Sequence, residues 1–522
     1  MKTTWPKSTA RDVLPAIALA LGSAYLLFRF PPAYQSWDAL VYAHRAQTHQ
    51  LAASLYSHHA LSNLLFYAAG ALLPALGLVG ESVAAFQVVN AILGGAVVGV
   101  LYALARRWGN ARFVAAALAL LLLASYGFWH FAGLADLYIW IILVTLLFWE
   151  SGARAVMRLE PRQALVAGGM AALAILSWQP NVILAALFGF GLLWSARRQK
   201  VSAIRPILFY GITGAALLLL GYLGLGWLAG VRSGPQLWAW FVGYFASSTW
   251  GHRLSFDTWA LVRDVAQSAV ITPDIERQPY RLAWEGMWLG VALFAMAVAW
   301  GAWRARHAQR LLLSLTLTWV LILAAASWWF DPRSPKFWLV VWLGCLILAI
   351  LTLAQWPSTR LFGLPLLPTY IASLSLTLLV FNFIMGILPE HRLPNYQIEA
   401  ARVWQAQTRP NDLLIVGYDF SNYLNYYAQR ERLVCPECAT NAGLGSDAQA
   451  TAQWAQAAIS AALADGAVVY RAENSCLSPR EDLMSWCSAE LLAVFNAYGW
   501  SPAFTTSDGI HTYTVYQTGG EP

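Results

Sequence analysis

Long apolar segments recur along most of the chain and are separated by short polar or basic stretches. About 20 consecutive apolar residues are enough for a helix to cross the hydrocarbon core of a bilayer. The pattern predicts about eleven membrane-spanning helices. They run over residues 13–30, 84–105, 112–129, 134–151, 164–179, 181–196, 206–229, 286–303, 311–329, 337–355 and 365–387.

The composition supports a membrane protein. Hydrophobic residues make up 59% of the 522 residues and charged residues only 11%, and the mean hydropathy is +0.52. Soluble domains carry about 25% charged residues, so a soluble enzyme is excluded. No small-residue cleavage site follows the first apolar run, which we interpret as a retained anchor.

Basic residues between the apolar segments predict the topology. Short loops rich in Lys and Arg stay in the cytoplasm, and placing all of these clusters there puts the N-terminus inside and the C-terminus outside. Nucleic-acid binding is not indicated, because the clusters do not form one soluble face. The clusters are Lys2/Lys7/Arg11, Arg106/Arg107/Arg112, Arg154/Arg158/Arg162, Arg197/Arg198/Lys200/Arg205, Arg304/Arg306/Arg310 and Arg360.

The apolar segment Leu61–Gly80 does not fit this alternation. A crossing there would move Arg106 and Arg107 to the outside, against the distribution of positive charge. We therefore predict a helix that lies on the outer surface or dips into it. A twelfth span is the alternative.

Residues 388–522 differ from the rest in charge and pattern. Residues 1–387 contain 26 Lys and Arg against 12 Asp and Glu, whereas residues 388–522 contain 7 against 14. Two strand-like runs, two helical patterns and one run that alternates like an edge strand follow each other there: Asp412–Tyr418 and Ala467–Tyr470, Ser421–Gln429 and Asp447–Asp465, and Ile510–Gln517. They predict a small extracytoplasmic α/β domain with a partly parallel sheet. The predicted domains are thus 1–387, with outer loops 31–60 and 230–285, and 388–522.

Four of the five cysteines fall in this second domain. An even number in an exported domain predicts two disulfides, most simply Cys435 with Cys438 and Cys476 with Cys487, although four cysteines allow three pairings. A zinc site that begins at Cys435 and Cys438 is the alternative, but ten residues separate the second pair, rather than the two to four of a zinc ribbon.

The first outer loop contains candidate site residues. Asp38 lies just past the first span, where a carboxylate can accept a proton from a hydroxyl or an amine. Its alternative role is the N-cap of a helix over Ala39–Gln50. His58 and His59 close the loop and are candidates for orienting a phosphate, or else form a polar cap on the next helix. Adjacent residues point to different faces of a helix, so joint metal binding is not indicated.

Two further outer segments contain charged or titratable residues. His130 and Asp136 lie at the mouth of two spans, where an acidic residue is costly unless it faces water or a partner; helix capping is the alternative. Arg333 and Lys336 lie in a proline-stiffened turn and suit phosphate oxygens, or else contact anionic headgroups by snorkelling. His252 and Arg253 are weaker candidates in the long loop.

These motifs together resemble the GT-C membrane glycosyltransferases. The basic N-terminus, one span, a loop that opens with Asp38 and closes with His58-His59-Ala60-Leu61, and a span that ends in Arg106-Arg107 look like the start of that fold. The segments Phe128–Tyr138 and Leu176–Asn181 are similar to its acidic-aromatic turn and its short connection between spans five and six. The nearest groups are bacterial relatives of protein O-mannosyltransferases and aminoarabinose transferases, over about residues 10–390.

The resemblance implies an enzyme of the bacterial cytoplasmic membrane that transfers a sugar from a polyprenyl phosphate to a glycan, lipid or protein acceptor on the outer face, with inversion. Asp38 matches the general base, Asp136 and His130 match the second acidic turn, and Arg333 and Lys336 match by location residues that stabilise the departing phosphate. Many members have two adjacent acidic residues where this chain has Asp38 alone, and an HP dipeptide where it has His59-Ala60. No cofactor is therefore predicted, with a divalent metal as the open alternative.

Two other classes of protein have similar patterns. A transporter or flippase also has many spans, but it usually shows internal repeats and ionisable residues deep inside spans, whereas here the charges cluster at span ends. A non-catalytic membrane scaffold of the cell envelope would keep the fold and lose its dependence on Asp38. The charge distribution favours the enzyme.

Overall fold

The computed structural model describes residues 10–246, 269–270, 281–304, 307–330, 335–354, 360–361, 364–435, 447–473, 475, 487–507 and 512–518. Eight residues singled out above lie outside these ranges: Lys2, Lys7, His252, Arg253, Arg306, Arg333, Cys438 and Cys476. The proposed disulfide pairings and the zinc alternative each include one of these cysteines, so they remain predictions.

The chain folds into two compact units. One contains the described residues before Tyr34, Arg45–Tyr244 and the described residues from 269 to Arg392, and the other contains Tyr34–His44, residues 245–246 and the described residues from Leu393. The last division between the units falls after Arg392, whereas the predicted domain boundary lies after residue 387. The sequence did not indicate that Tyr34–His44, in the first outer loop, belongs to the C-terminal unit.

Helices make up nearly all of the described part of the chain before Leu393. In chain order they are α1 (Ala10–Arg29), α2 (Trp37–Gln47), α3 (Leu51–Ser54), α4 (Ala60–Ala75), α5 (Ser82–Arg107), α6 (Arg112–Ala124), α7 (Tyr126–Gly133), α8 (Tyr138–Arg158), α9 (Pro161–Ser177), α10 (Asn181–Gln199), α11 (Ile204–Leu228), α12 (Gly234–Ala246), α13 (Arg281–Arg304), α14 (His307–Phe330), α15 (Pro335–Leu353), α16 (Leu366–Asn382) and α17 (Leu388–Arg392). Strands β1 (Arg360–Leu361) and β2 (Leu364–Pro365) form a short hairpin, and a π-helical turn, Phe383–Ile387, follows α16.

Every predicted span is helical over most of its length, although the span predicted over 112–129 is divided between α6 and α7. The protein is an integral membrane protein. Within the described residues, eight helices are long and apolar enough to cross a membrane, and α6 with α7, bent by 63°, adds a ninth if the pair is one span. The count of eleven is therefore not established. The segment after Leu61 forms α4, whose 16 residues fall below the range of about 17 to 25 that a span needs.

Charged residues gather at one end of the first unit. Asp12 in α1 accepts hydrogen bonds from Arg106 and Arg112 at 3.0 and 3.1 Å. Glu150 in α8 pairs with Arg107 at 2.7 Å and also with Arg154. Two of the predicted cytoplasmic clusters, Arg106/Arg107/Arg112 and Arg154/Arg158/Arg162, thus lie at the same end of the bundle.

The bend between α6 and α7 is stabilised by polar side chains of later helices. A break in a membrane helix frees backbone groups that must find partners. Asn382 donates to the Ala124 carbonyl oxygen at 2.7 Å, and Trp342 donates to the Ser125 hydroxyl at 2.8 Å. This bend sets the position of α7, which carries His130.

Glycines allow α1 and α5 to pack with their backbones in contact. A Cβ on Gly95 would overlap with the Ala20 carbonyl oxygen, and one on Gly99 would lie 2.8 Å from the Ala16 carbonyl oxygen. Small residues at such positions are typical of membrane helix pairs. This contact fixes the first helix against the bundle.

The C-terminal unit is a mixed α/β domain, as predicted. Its strands are β3 (Leu413–Ile415), β4 (Leu433–Val434), β5 (Val469–Ala472), β6 (Ser501–Ser507) and β7 (Thr512–Thr518), and its helices are α18 (Tyr396–Gln407), α19 (Tyr418–Tyr427), α20 (Ala448–Ala464) and α21 (Ala489–Asn496). The sheet order is β4-β3-β5-β7-β6, parallel in its first half and antiparallel in its second.

The prediction of an edge strand over Ile510–Gln517 was wrong. Strand β7 pairs with β5 on one side and with β6 on the other, and it buries Tyr513 and Val515. Strand β6 lies at the edge of the sheet next to β7. Its sequence, SPAFTTS, is rich in polar residues and was not predicted as a strand. Alternating burial on one face occurs in inner and edge strands alike, so the alternation alone does not distinguish them.

Candidate active site

The histidine pair contacts the connection between α9 and α10. The turn Ser57–His59 precedes α4, and the His58 carbonyl oxygen accepts a hydrogen bond from the Gln179 N–H at 3.2 Å. The His59 Nδ1 lies 3.3 Å from the Ser177 carbonyl oxygen, which also accepts from the Ser62 hydroxyl at 2.8 Å. Two motifs far apart in the sequence, HHAL and SWQPN, are thus joined in one site.

Lys336 lies beside this histidine pair. Its Nζ is 5.7 Å from the centre of the Tyr138 ring, within the range of a cation–π contact. The Tyr138 ring centre is 6.1 Å from that of His59, and the two histidine rings are 4.4 Å apart. We call His58, His59, Tyr138, Ser177 and Lys336 the histidine–lysine cluster; it brings the predicted histidine pair together with Lys336, which was predicted in a different loop.

His58 is neutral in this setting. Burial lowers the pKa of its ring well below the usual value of 6.5, and the positive charges of His59 and Lys336 lower it further. A neutral imidazole can both donate and accept a hydrogen bond. Lys336 therefore supplies the fixed positive charge of the cluster.

His130 belongs to a second cluster with a residue that the sequence did not single out. Its Nδ1 lies 2.9 Å from Oε2 of Glu390, and the Tyr126 hydroxyl donates to Oε1 of the same carboxylate. Glu390 follows the last predicted span by three residues, where the predicted domain boundary fell. The signal that could have pointed to Glu390 is the charged run Glu390-His391-Arg392, which follows the last apolar span.

Backbone contacts fix the segment that carries Glu390. The Glu390 carbonyl oxygen accepts from the Ala33 N–H at 3.0 Å, and His391 Nδ1 lies 2.9 Å from the Pro31 carbonyl oxygen. The end of the last span is thereby tied to the chain that leaves the first helix. These two contacts fix the position of Glu390 in the His130–Glu390–Tyr126 cluster.

Asp136 is nearly fully buried in the turn before α8. Its Oδ1 accepts from the N–H of the next residue, Leu137, at 2.6 Å; Leu137 is itself the N-cap of α8, and no side chain of the described residues caps that end through a hydrogen bond, so the helix-capping alternative is not the role seen here. The Asn90 amide donates to the carbonyl oxygens of Leu134 and Asp136 at 2.7 and 2.6 Å. The turn is therefore rigid, and Asp136 stabilises it directly before the helix that carries Tyr138.

Asp38 lies in the first turn of α2 and is half-buried. The alternative role as N-cap was wrong, because the Ser36 hydroxyl accepts from the Ala39 N–H at 3.3 Å and the helix begins at Trp37. The preceding Gln35 is held by Tyr423, whose hydroxyl both donates to the Gln35 carbonyl oxygen and accepts from its N–H, each at 3.1 Å. These contacts lie within the C-terminal unit.

Among the described residues, no group of three His, Cys, Asp or Glu side chains comes together in a way that would hold a metal ion. Of the cysteines, Cys435 and Cys487 are buried in the C-terminal unit, and Cys345 lies in α15.

The protein is thus an integral membrane protein with two units: a helical unit that carries the polar clusters and a small mixed α/β unit. No protein-family model and no curated protein matches the sequence. Among solved structures, the chain is similar to ArnT of Cupriavidus metallidurans bound to undecaprenyl phosphate, with 12% identity, a TM-score of 0.61 and 98% of both chains covered. For apo ArnT the values are 14%, 0.59 and 97% of both chains.

A third solved structure extends the comparison. The apo oligosaccharyltransferase of Archaeoglobus fulgidus matches with 14% identity and a TM-score of 0.53, over 94% of this chain and 72% of that protein. ArnT and this oligosaccharyltransferase are both GT-C glycosyltransferases. The predicted resemblance is confirmed for the fold: the chain has the GT-C fold over almost its full length.

Proposed function

We propose that the protein transfers a sugar from a polyprenyl-phosphate carrier to an acceptor at the outer face of the membrane. The observation that carries this proposal is the match over 98% of both chains to ArnT bound to undecaprenyl phosphate. The position of the histidine–lysine cluster supports this proposal. Tyr138, a member of the cluster, is the first residue of α8, whereas Glu150 and Arg154 lie near the other end of the same helix, among the basic residues predicted to be cytoplasmic. The C-terminal unit is then extracytoplasmic.

The departing group sets the first chemical requirement. As the bond between the anomeric carbon and the phosphate oxygen breaks, negative charge develops on the phosphate. A fixed cation near that oxygen stabilises the transition state, and Lys336 has this role in our proposal, with Arg333 as a second cation. The neutral His58 and the adjacent His59 donate hydrogen bonds to the same group.

The acceptor sets the second requirement. Its hydroxyl or amine attacks the anomeric carbon from the face opposite the phosphate, which inverts the configuration, and its proton passes to a carboxylate. Asp38 is the proposed base. The Tyr423–Gln35 contact fixes the backbone three residues before it.

The second outer turn has an orienting role in the proposal. Asp136 and His130 hold the donor or the acceptor, Asp136 through the rigid turn before α8 and His130 through its pairing with Glu390. Glu390 and Tyr126 are positioning residues, because they act on His130. The acceptor is a glycan, a lipid or a protein.

The test uses purified, detergent-solubilised protein and a panel of polyprenyl-phosphate sugars. Release of the lipid phosphate is measured with and without candidate acceptors for the unaltered chain, Asp38→Asn and the control Asp465→Asn, which changes an exposed carboxylate of the C-terminal unit. We expect release that is lost in Asp38→Asn alone. Equal release from all three proteins would exclude Asp38 as the base, and movement of donor across vesicles without release would identify a transporter.

A further inference from the structure

Helices α10 and α14 pack closely at one point. A Cβ on Gly191 would lie 2.8 Å from Cδ1 of Leu315 and 3.0 Å from Cγ2 of Val156. The glycine therefore lets α10 approach α14 without a side chain between them. Towards the C-terminus of α10 the residues that face α14 are larger than glycine, and a cavity of about 290 Å³ lies between the two helices.

The lining of this cavity is amphipathic. Phe190, Trp194 and Arg198 recur every four residues and so share one face of α10. The rings of Phe190 and Trp194 lie 5.9 Å apart. The six lining residues are Phe190, Trp194, Arg198, Arg310, Leu311 and Ser314. One end of the groove is thus aromatic and the other has two guanidinium groups.

The two arginines come from different helices. Arg198 lies in the last turn of α10 and Arg310 in the first turn of α14. Both belong to clusters that are predicted to face the cytoplasm. A snorkelling arginine needs only an aliphatic stem and access to the interface. Two arginines from different helices that flank one cavity match the charge and the bidentate geometry of a phosphate.

The exposed aromatic side chains indicate what accompanies the phosphate. Phe190 and Trp194 are 52% and 49% exposed on a membrane-spanning unit, where the surrounding solvent is lipid. A ligand that fills the groove therefore joins an anionic head to an apolar chain. The volume corresponds to the lower end of the range for ligand pockets, about 300 Å³.

We propose that this groove binds the headgroup of an anionic glycerophospholipid of the cytoplasmic leaflet. Arg198 and Arg310 bind the phosphate oxygens, the Ser314 hydroxyl donates to the head, and Phe190 and Trp194 contact the acyl chain. The site lies at the opposite end of α10 from Gln179, which contacts the histidine–lysine cluster. It is independent of the proposed sugar transfer.

Native mass spectrometry of the full chain tests the proposal. Dissociation constants are measured for phosphatidylglycerol and for phosphatidylcholine with the same acyl chains. The variants are Arg198→Gln/Arg310→Gln and Ser314→Trp, which fills the groove and keeps both cations. Arg162→Gln/Arg205→Gln is the control, since it removes two exposed arginines of the same predicted face. Monodispersity in detergent confirms that each variant folds.

We expect preferential binding of phosphatidylglycerol to the unaltered chain. The preference should fall on the order of tenfold in the double arginine variant, fall similarly in Ser314→Trp, and persist in the control. The proposal is wrong if the control loses as much, because the effect is then one of net charge. It is also wrong if phosphatidylcholine binds equally well, or if undecaprenyl phosphate displaces phosphatidylglycerol at a lower concentration than phosphatidylglycerol itself requires.

Discussion

The imidazole of His130 and the carboxylate of Glu390 are hydrogen-bonded at 2.9 Å across 260 residues of sequence. The pair joins α7, the second half of the bent helix pair, to the short helix that follows the last predicted span. Tyr126, one turn before His130, binds the other carboxylate oxygen. Three residues thereby fix the ends of two segments that lie in different parts of the sequence.

Removing the charge of Glu390 should weaken this junction. Hydrogen bonds to a charged group contribute about 1.5 to 3 kcal/mol, so Glu390→Gln should lower the thermal unfolding midpoint in detergent and reduce lipid-phosphate release. Glu399→Gln, at an exposed position of α18, is the control. Unchanged unfolding and release in Glu390→Gln would show that the pair has no positioning role.

The neutral state of His58 predicts a pH dependence. Because its pKa in the folded protein lies well below the usual 6.5, the unfolded chain binds more protons, and stability falls as the pH drops below about 6.5. The slope approaches about 1.4 kcal/mol per pH unit for one group. We expect His58→Asn to flatten the fall of the unfolding midpoint between pH 7 and pH 5, and the exposed His49→Asn to leave it as it is. A curve for His58→Asn that parallels the unaltered one contradicts the assignment.

Lys336 should matter most in the chemical step. Loss of one group that stabilises developing negative charge costs about 10²- to 10³-fold in kcat, so Lys336→Gln should lower the rate of phosphate release far more than it raises KM. Lys336→Arg keeps the charge and should recover part of the rate. The surface variant Lys200→Asn should behave like the unaltered chain, and a pure KM effect in Lys336→Gln would place the lysine in binding only.

Tyr423 is expected to support Asp38 through Gln35. Tyr423→Phe removes both hydrogen bonds to the Gln35 backbone and leaves two backbone groups to find other partners, at a cost of about 1 kcal/mol each. We expect phosphate release to fall while the pH profile keeps its shape, because the base itself is unchanged. Tyr498→Phe in the same unit is the control, and full activity of Tyr423→Phe would separate this contact from the site.

Gly95 tests the packing of the first helix. In Gly95→Ala the added methyl group overlaps with the Ala20 carbonyl oxygen, so the helices must separate, at a cost of about 1 to 3 kcal/mol for overpacking. Gly22→Ala in α1 adds the same group where no atom lies within 4 Å. The unfolding midpoint should drop for Gly95→Ala only, and equal midpoints for the two variants would mean that α1 and α5 are less tightly packed.

Much of the fold follows from local signals. Every predicted span is helical over most of its length, because a helix satisfies the backbone groups of an apolar run in lipid. The apolar pattern did not show the bend between α6 and α7. The helix over Ala448–Ala464 was likewise predictable, since Asp447 caps it through two backbone N–H groups. The strand order was not, because alternation in β7 reports a buried face and says nothing about its neighbours.

The site was predictable only in part, and the reason is geometric. His58, His59 and Lys336 were found as polar residues at span ends, but spacing in the sequence does not show that they surround one tyrosine. Glu390 was missed because it lies where the apolar pattern stops, and its partner His130 comes from a helix 260 residues earlier. Which residues of distant helices meet depends on how the helices pack, and periodicity along one helix carries no information about that packing.

The backbone contact between α1 and α5 also sets an order of events during synthesis. Gly95 follows Ala20 by 75 residues in the chain, so the first helix leaves the ribosome well before the surface that it fits. Lipid must cover Ala16, Ala20 and Ala24 until α5 arrives and displaces it. Helix α1 is thus made before its neighbour α5, and the arrival of α5 closes a loop that already contains α2, α3 and α4.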